Sequence, residues 1–210
     1  MDEQIFFAIN GAHNIFLDQL MTLLTGKMVW VPLYISLLYV VWYNYSWRGV
    51  LGVLLMVGVG MLFTDMLNSQ VIRPWIGRLR PSNPDNPIAP LVHVVNDRHG
   101  NGCGFPSAHS ANMWMLTFVM AHWLRNYALS FSMAALSLLI CYSRVYLGYH
   151  YPGDILGGFV WAFMVVYVLR YIHIRRFKFA SVSSPGRIWV PISVMCVILL
   201  SMLCYSLIEI

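Results

Sequence analysis

The densest group of chemically active side chains in the sequence lies at residues 143–154, which read S-R-V-Y-L-G-Y-H-Y-P-G-D. This stretch combines Arg144, His150 and Asp154, although it separates two long apolar segments. Charged side chains at membrane depth are costly unless they are used, so their presence indicates a functional site. An acid four residues after a histidine can hold the imidazole in one tautomer if Pro152 opens the next helix.

Two further polar clusters contain residues that suit a phosphate group. Residues 73–81 read R-P-W-I-G-R-L-R-P, and residues 105–110 read F-P-S-A-H-S. Guanidinium groups bind phosphate through paired N–H donors in a fixed geometry. A proline and a serine at a helix start add backbone N–H groups and the positive end of the helix dipole.

The histidines of these clusters can divide the remaining chemistry between them. One histidine can attack phosphorus as a neutral nucleophile, and the other can donate a proton to the leaving oxygen. The set therefore suits transfer of a phosphoryl group to histidine and then to water, with neither a metal nor a cofactor. The four cysteines show no C-x-x-C spacing, so the sequence also predicts neither a disulfide nor a metal site.

The elements that must position these clusters are membrane helices. Of the 210 residues, 59% are hydrophobic and only 10% are charged, whereas soluble domains carry about 25% charged residues. The apolar segments predict an all-α polytopic protein whose single domain covers residues 1–210. The six predicted spans are 28–43, 50–68, 107–123, 127–146, 155–172 and 188–208. Apolar residues at helical spacing in residues 1–25 predict an amphipathic segment at the membrane interface.

Charge sorting predicts the orientation of these spans. The connections between spans 1–2, 3–4 and 5–6 share one side and carry basic residues without any acid: Arg48, Arg125, Arg170, Arg175, Arg176, Lys178 and Arg187. The positive-inside rule makes this side cytoplasmic and places the three polar clusters on the outer side. The formal charge of +5 comes without a basic stripe interleaved with aromatic residues, so no nucleic-acid partner is predicted.

The three clusters resemble the signature of the type 2 phosphatidic acid phosphatase superfamily, membrane lipid phosphatases related to vanadium haloperoxidases. That signature reads K-x6-R-P, then P-S-G-H, then S-R-x5-H-x3-D. The chain matches it with Arg73, Arg80-Pro81, Pro106-Ser107-Ala108-His109, Ser143-Arg144, His150 and Asp154. Arg73 replaces a lysine, which keeps the charge but changes the reach and the fork geometry. Ala108 replaces a glycine, and we expect this change to be tolerated.

The resemblance implies a role for each matched position. His150 would be the nucleophile that forms a phosphohistidine, and Asp154 would orient it. His109 would be the general acid that protonates the leaving group and later activates water. The phosphate oxygens would be bound by Arg73, Arg80, Ser107 and Arg144.

The resemblance also implies a bacterial lipid phosphatase in the cytoplasmic membrane, with its site facing the periplasm or exterior. Undecaprenyl diphosphate is the first expected substrate and lipid A phosphate the second, followed by phosphatidylglycerol phosphate and phosphatidate. No obligatory protein partner is predicted. A phosphotransferase using the same phosphohistidine is an alternative enzyme. A non-catalytic scaffold or headgroup receptor is a third possibility, against which the intact histidines and aspartate argue.

The remaining polar residues receive simpler interpretations. Arg78, Arg98, His13 and His173 are interpreted as interfacial anchors, because single basic side chains at helix ends usually have that role. The segment Ser82–Gly104 is predicted to border the entrance of the site and to influence the choice of headgroup.

Overall fold

A computed structural model describes residues 1–177, 182 and 184–208. In this part of the chain the regular structure is helical, apart from one isolated bridge between Leu79 and Cys103. The α-helices are α1 Asp2–Asn10, α2 Ile15–Leu24, α3 Val31–Met61, α4 Arg73–Ile76, α5 Ala108–Leu124, α6 Tyr127–Tyr146, α7 Pro152–Phe177 and α8 Trp189–Ile208. A π-helical segment, Leu62–Ile72, joins α3 to α4. The all-α prediction is therefore confirmed.

Four helical segments in the described residues are long and apolar enough to cross a membrane: Met28–Ile76, Tyr127–Tyr146, Pro152–Arg175 and Trp189–Ile208. Six spans are not confirmed and stay a prediction. That prediction requires the first segment to cross twice, and it requires the 17 residues of α5 to cross as well.

The first of these segments is interrupted at Ser46, whose φ of 60° is incompatible with a continuing α-helix. The two halves of α3 line a common cavity, through Tyr34 from the first half and Val57 from the second. This interruption lies within the predicted connection between spans 1 and 2, at residues 44–49. The second half extends beyond its predicted end at residue 68, through the π-helical segment and into α4.

The connections predicted to share one side lie together at one end of the protein. The Tyr45 hydroxyl donates to the carbonyl oxygen of Trp123 at 2.5 Å. The Asn44 side chain donates to the carbonyl of Gly186 at 3.1 Å and accepts from its N–H at 2.9 Å. These contacts join the regions where spans 1–2, 3–4 and 5–6 are predicted to be connected.

Helix α5 lies at the centre of the fold. It is apolar around its whole circumference, which is typical of a buried helix, and Ala111, Met115 and Val119 are fully or almost fully buried. Its first turn is capped by the side chain of Ser107, which accepts from the N–H of Ser110. The start of α5 is therefore fixed both by local capping and by burial.

The predicted amphipathic segment at residues 1–25 forms two short helices, α1 and α2. Asn14 caps α2 by accepting a hydrogen bond from the N–H of Leu17 at 2.8 Å. The side chain of Asn10 donates to the carbonyl oxygens of His93 and Tyr146, at 2.9 and 2.7 Å. These hydrogen bonds attach α1 to the end of α6 and to the connection between α4 and α5, residues 77–107, which we call the long loop.

Candidate active site

The three polar clusters meet at the end of the bundle where α5 and α7 begin. The carbonyl of Pro106 accepts a hydrogen bond from Arg73 Nε at 3.0 Å, which joins the first cluster to the second. The N–H of Ser107 donates to the carbonyl of Asp154 at 2.9 Å, which joins the second cluster to the third. The structure therefore brings together segments that are separated by up to 80 residues of sequence.

Two glycines allow α7 to approach the start of α5. A Cβ atom on Gly158 would lie 2.5 Å from the carbonyl oxygen of Ser107, and one on Gly157 would lie 2.6 Å from the Phe105 ring. The Ser110 hydroxyl uses this proximity to donate to the carbonyl of Ile155 at 2.8 Å. A larger residue at position 158 would push the two helix starts apart.

His150 and Asp154 form a pair that is almost completely buried. His150 Nδ1 lies 3.4 Å from Asp154 Oδ2, which also accepts the N–H of Tyr151 at 3.0 Å. Because Nδ1 faces the carboxylate, Nε2 remains as the nitrogen that can attack a substrate. Burial lowers the pKa of His150 well below its ordinary value, and the positive charges of Arg144 and Arg80 lower it further. This environment favours the neutral form of the imidazole.

Three arginines of the predicted site are held by backbone or side-chain contacts. Besides the contact of Arg73, Arg80 Nε donates to the carbonyl of Cys103 at 3.4 Å. Arg144 Nη1 donates to the Thr25 hydroxyl at 2.7 Å. Arg144 is only 7% exposed, and its Nε has no hydrogen-bond partner in the described residues. A buried unpaired donor is costly unless a ligand satisfies it, so this nitrogen points to an anion site.

Ser107 and His109 lie at the start of α5, where Ser107 is the N-cap residue. Ser107 is fully buried, whereas His109 is half-buried. His109 also lines a cavity of about 460 Å³. The other charged residues that line this cavity are Lys27 and Asp65.

The cavity itself is mostly apolar. It lies between the two halves of α3 and α5, and its apolar lining includes Tyr34, Leu37, Val53, Val57 and Leu116. Ligand sites commonly have volumes of about 300–1,000 Å³, with an apolar lining and a few polar groups. An apolar chain attached to a phosphate could therefore occupy the cavity beside His109.

The family model described as the PAP2 superfamily matches residues 49–178, which is more than half of the chain. The chain belongs to the PAP2 superfamily. The resemblance recognised in the sequence is therefore confirmed.

Known members of the superfamily resemble this chain along most of its length. A lipid A 4'-phosphatase of Bacteroides thetaiotaomicron is 42% identical over 75% of this chain and 70% of its own length. The undecaprenyl-diphosphatase BcrC of Bacillus subtilis is 25% identical over 88% of this chain and 87% of its own. The crystal structure of a transmembrane PAP2-type phosphatidylglycerolphosphate phosphatase from Bacillus subtilis matches with a TM-score of 0.62. It is 26% identical, and the match covers 85% of this chain and 87% of that one.

Taken together with the apolar helices, these relatives make this PAP2 protein a membrane lipid phosphatase. The all-α membrane fold and the phosphatase class therefore agree with those expected from the sequence, whereas the six spans and the independence of a metal stay predictions.

Interpreting Arg78 as an interfacial anchor is wrong for this member of the superfamily. Arg78 Nη1 lies 3.0 Å from Asp154 Oδ1, and its other terminal nitrogen is ion-paired with Asp2. His173 likewise contacts another side chain, since its Nδ1 lies 3.1 Å from His122 Nε2. No sequence pattern indicated these contacts, because they join residues that are far apart in the chain.

Gly104 is a further residue of the PAP2 site that the sequence did not single out. A Cβ atom there would lie 2.8 Å from Asp154 Oδ2 and 3.5 Å from His150 Nδ1. Only a residue without a side chain allows the backbone to lie against this pair.

Proposed function

We propose that the protein hydrolyses a phosphate monoester of lipid A through a phosphohistidine, without a metal, at the outer face of the bacterial cytoplasmic membrane. The observation that carries this proposal is the position of the buried His150–Asp154 pair, which lies close to three arginines. This arrangement supplies a neutral nucleophile and fixed positive charges for a phosphate.

The first half of the reaction transfers the phosphoryl group to the enzyme. His150 Nε2 attacks phosphorus, while Asp154 accepts the hydrogen bond from Nδ1 and stabilises the positive charge that develops on the ring. The bond between phosphorus and the ester oxygen breaks, and His109 gives its proton to that oxygen. Fixed guanidinium groups stabilise the negative charge on the phosphoryl oxygens.

The second half of the reaction returns the enzyme to its starting state. His109, now without its proton, accepts a proton from a water molecule as that water attacks the phosphorus. The phosphorus–nitrogen bond breaks, and inorganic phosphate leaves with His150 neutral again. Because these two reaction steps need only histidines, an aspartate and arginines, hydrolysis is expected to continue in EDTA.

The choice of lipid A rests on the relatives. The lipid A 4'-phosphatase of Bacteroides thetaiotaomicron is considerably more similar to this chain than the undecaprenyl-diphosphatase. We therefore place lipid A phosphate ahead of undecaprenyl diphosphate, which was the first expectation from the sequence. Undecaprenyl diphosphate remains the second candidate because that relative matches nearly the whole chain.

A substrate panel tests this proposal directly. The purified protein in detergent with EDTA is given lipid A, undecaprenyl diphosphate or phosphatidylglycerol phosphate, and free phosphate is measured. We expect the largest kcat/KM with lipid A and a product lacking one phosphate. Phosphate release from undecaprenyl diphosphate alone would make that lipid, the second candidate, the substrate. Phosphate that appears on an added acceptor lipid, rather than free, would instead indicate a phosphotransferase.

Filling the apolar cavity with a larger side chain provides a separate prediction. Val57→Trp should raise KM for a long-chain lipid phosphate about tenfold or more, because about 0.8 kcal/mol is lost for each methylene that can no longer be buried. A short-chain, water-soluble phosphate should keep its KM. Val59→Trp is the matched control, since Val59 is 37% exposed and does not line the cavity. An equal rise in KM for both substrates would show that the cavity does not bind the lipid chain.

The proposed orientation is tested at Cys103, a free and partly exposed cysteine of the long loop. A membrane-impermeant maleimide should label it in cells whose outer membrane alone has been opened, and Cys103→Ser should lose that label. In the Cys103→Ser background, Arg48→Cys should be labelled only after the inner membrane is broken. The reverse pattern would place the site on the cytoplasmic side.

A further inference from the structure

The N-terminal helix α1 reaches the candidate active site through its first residue. Asp2 Oδ1 accepts the N–H of Gly153 at 2.8 Å, in the first turn of α7. The other oxygen of Asp2 is ion-paired with Arg78. Asp2 lies outside the residues matched by the family model, which begins at residue 49. This contact therefore joins a residue outside the matched region to residues inside it.

Arg78 connects Asp2 to the catalytic pair. Its Nη1 donates to Asp154 Oδ1 at 3.0 Å, while its Nη2 is bound to Asp2. The guanidinium also lies 4.2 Å from the centre of the Tyr151 ring. Within the signature K-x6-R-P, Arg78 occupies one of the unspecified positions, so the sequence pattern assigns it no role.

The two oxygens of Asp154 are used by different partners. Oδ2 faces His150 and the N–H of Tyr151, so Arg78 is the side chain that binds Oδ1. Asp154 is fully buried, whereas Arg78 is one-third exposed. A buried carboxylate that loses a cationic partner loses part of the compensation for its charge and one of the contacts that fix its orientation.

We infer that Arg78 and Asp2 are positioning residues, which hold the Asp154 carboxylate in the orientation that His150 requires. Asp2 fixes the guanidinium, the guanidinium fixes Oδ1, and Oδ2 is thereby aimed at His150 Nδ1. The helix α1 is then part of the catalytic unit. This inference rests on the proposed phosphohistidine mechanism, since it assigns Arg78 an effect on the nucleophile.

Direct phosphate binding by Arg78 is the competing role. Each terminal nitrogen of the guanidinium already binds a carboxylate, so a phosphate would have to compete with Asp154 and Asp2 for these donors. A substrate-binding arginine would raise KM and weaken inhibition by inorganic phosphate, whereas a residue that only orients the nucleophile lowers kcat and leaves both unchanged. Steady-state kinetics on the lipid phosphate therefore separates the two roles.

The experiment compares Arg78→Gln, Arg78→Lys and Asp2→Asn in the full-length protein. We expect Arg78→Gln to lower kcat about 10–100-fold with KM within about twofold of the wild type, as for other residues that orient a reactive group. Arg78→Lys should restore only part of this loss, because it keeps the charge but has one nitrogen in place of the two that bridge Asp154 and Asp2. Asp2→Asn should lower kcat several-fold, and the double variant should be no worse than Arg78→Gln alone.

Matched controls keep the inference falsifiable. Arg98→Gln removes an exposed arginine of the same long loop and should leave kcat unchanged. Asp2→Asn retains the shape of the side chain, so it gives an answer even if Arg78→Gln fails to fold. A raised KM at unchanged kcat, full activity of both single variants, or strictly multiplicative losses would overturn the inference.

The same assays distinguish this inference from the proposed function. If the wild type releases phosphate and His150→Ala does not, the mechanism stands, and normal kcat in Arg78→Gln then refutes only the positioning role. If His150→Ala retains full activity, the phosphohistidine mechanism fails, and the positioning role fails with it.

Discussion

His150→Ala is expected to lower kcat for phosphate release by at least about 10⁴-fold, as loss of a covalent nucleophile does in other enzymes. The reason is that His150 Nε2 is the neutral nitrogen expected to form the bond to phosphorus, and no second imidazole contacts Asp154 in the described residues. The measurement is release of inorganic phosphate from the lipid substrate by the purified variant.

The control for this variant is His122→Ala. His122 lies near the C-terminal end of α5, whereas the polar clusters meet at its start, and it contacts His173 rather than the catalytic pair. We expect it to keep kcat within about twofold, because surface or peripheral substitutions away from a site have small effects.

Rapid-quench trapping of acid-labile phosphoprotein in the wild type, and its absence in His150→Ala, would identify the intermediate. Normal turnover by His150→Ala would exclude the mechanism.

Arg144→Lys should lower kcat/KM by about 10²–10³-fold, the usual cost of removing a fixed donor from a developing anion. Lysine keeps the charge but carries one nitrogen instead of a fork, so it cannot reproduce both the contact with Thr25 and the unpaired Nε donor. The measurement is kcat/KM for the lipid phosphate, together with inhibition by inorganic phosphate, which should weaken in the variant.

Arg48→Lys is the matched control for Arg144→Lys, because Arg48 is exposed near the break in α3. Its kcat/KM should equal that of the wild type. If Arg144→Lys were as active as the wild type, a simple positive charge would suffice, and the unpaired Nε would have no part in binding phosphate.

The sequence by itself determined the helices whose boundaries depend on local signals. Helix α6 begins and ends where predicted, at Tyr127 and Tyr146, because Asn126 caps its first turn. Helix α7 begins at Pro152, three residues before the predicted span, and so meets the condition under which Asp154 can hold His150. These signals act over a few residues, so they can be read without knowing what lies nearby in space.

The sequence also determined which segments form the site, because the spacing of His150 and Asp154 fixes their proximity once a helix begins between them. The roles assigned to these residues stay predictions. What spacing could not determine is the distance between clusters, which depends on the close approach of α5 and α7 at Gly157 and Gly158.

Only the tertiary structure decided the contacts that join distant parts of the chain. Asp2, Arg78 and Asp154 meet although about 76 residues separate each from the next, and nothing in their local periodicity distinguishes them from interfacial charges. The cavity beside His109 is likewise formed by α3 and α5 together. Local patterns determine where a helix starts and which face is apolar, whereas the pairing of charged groups depends on how the packed helices bring their ends together.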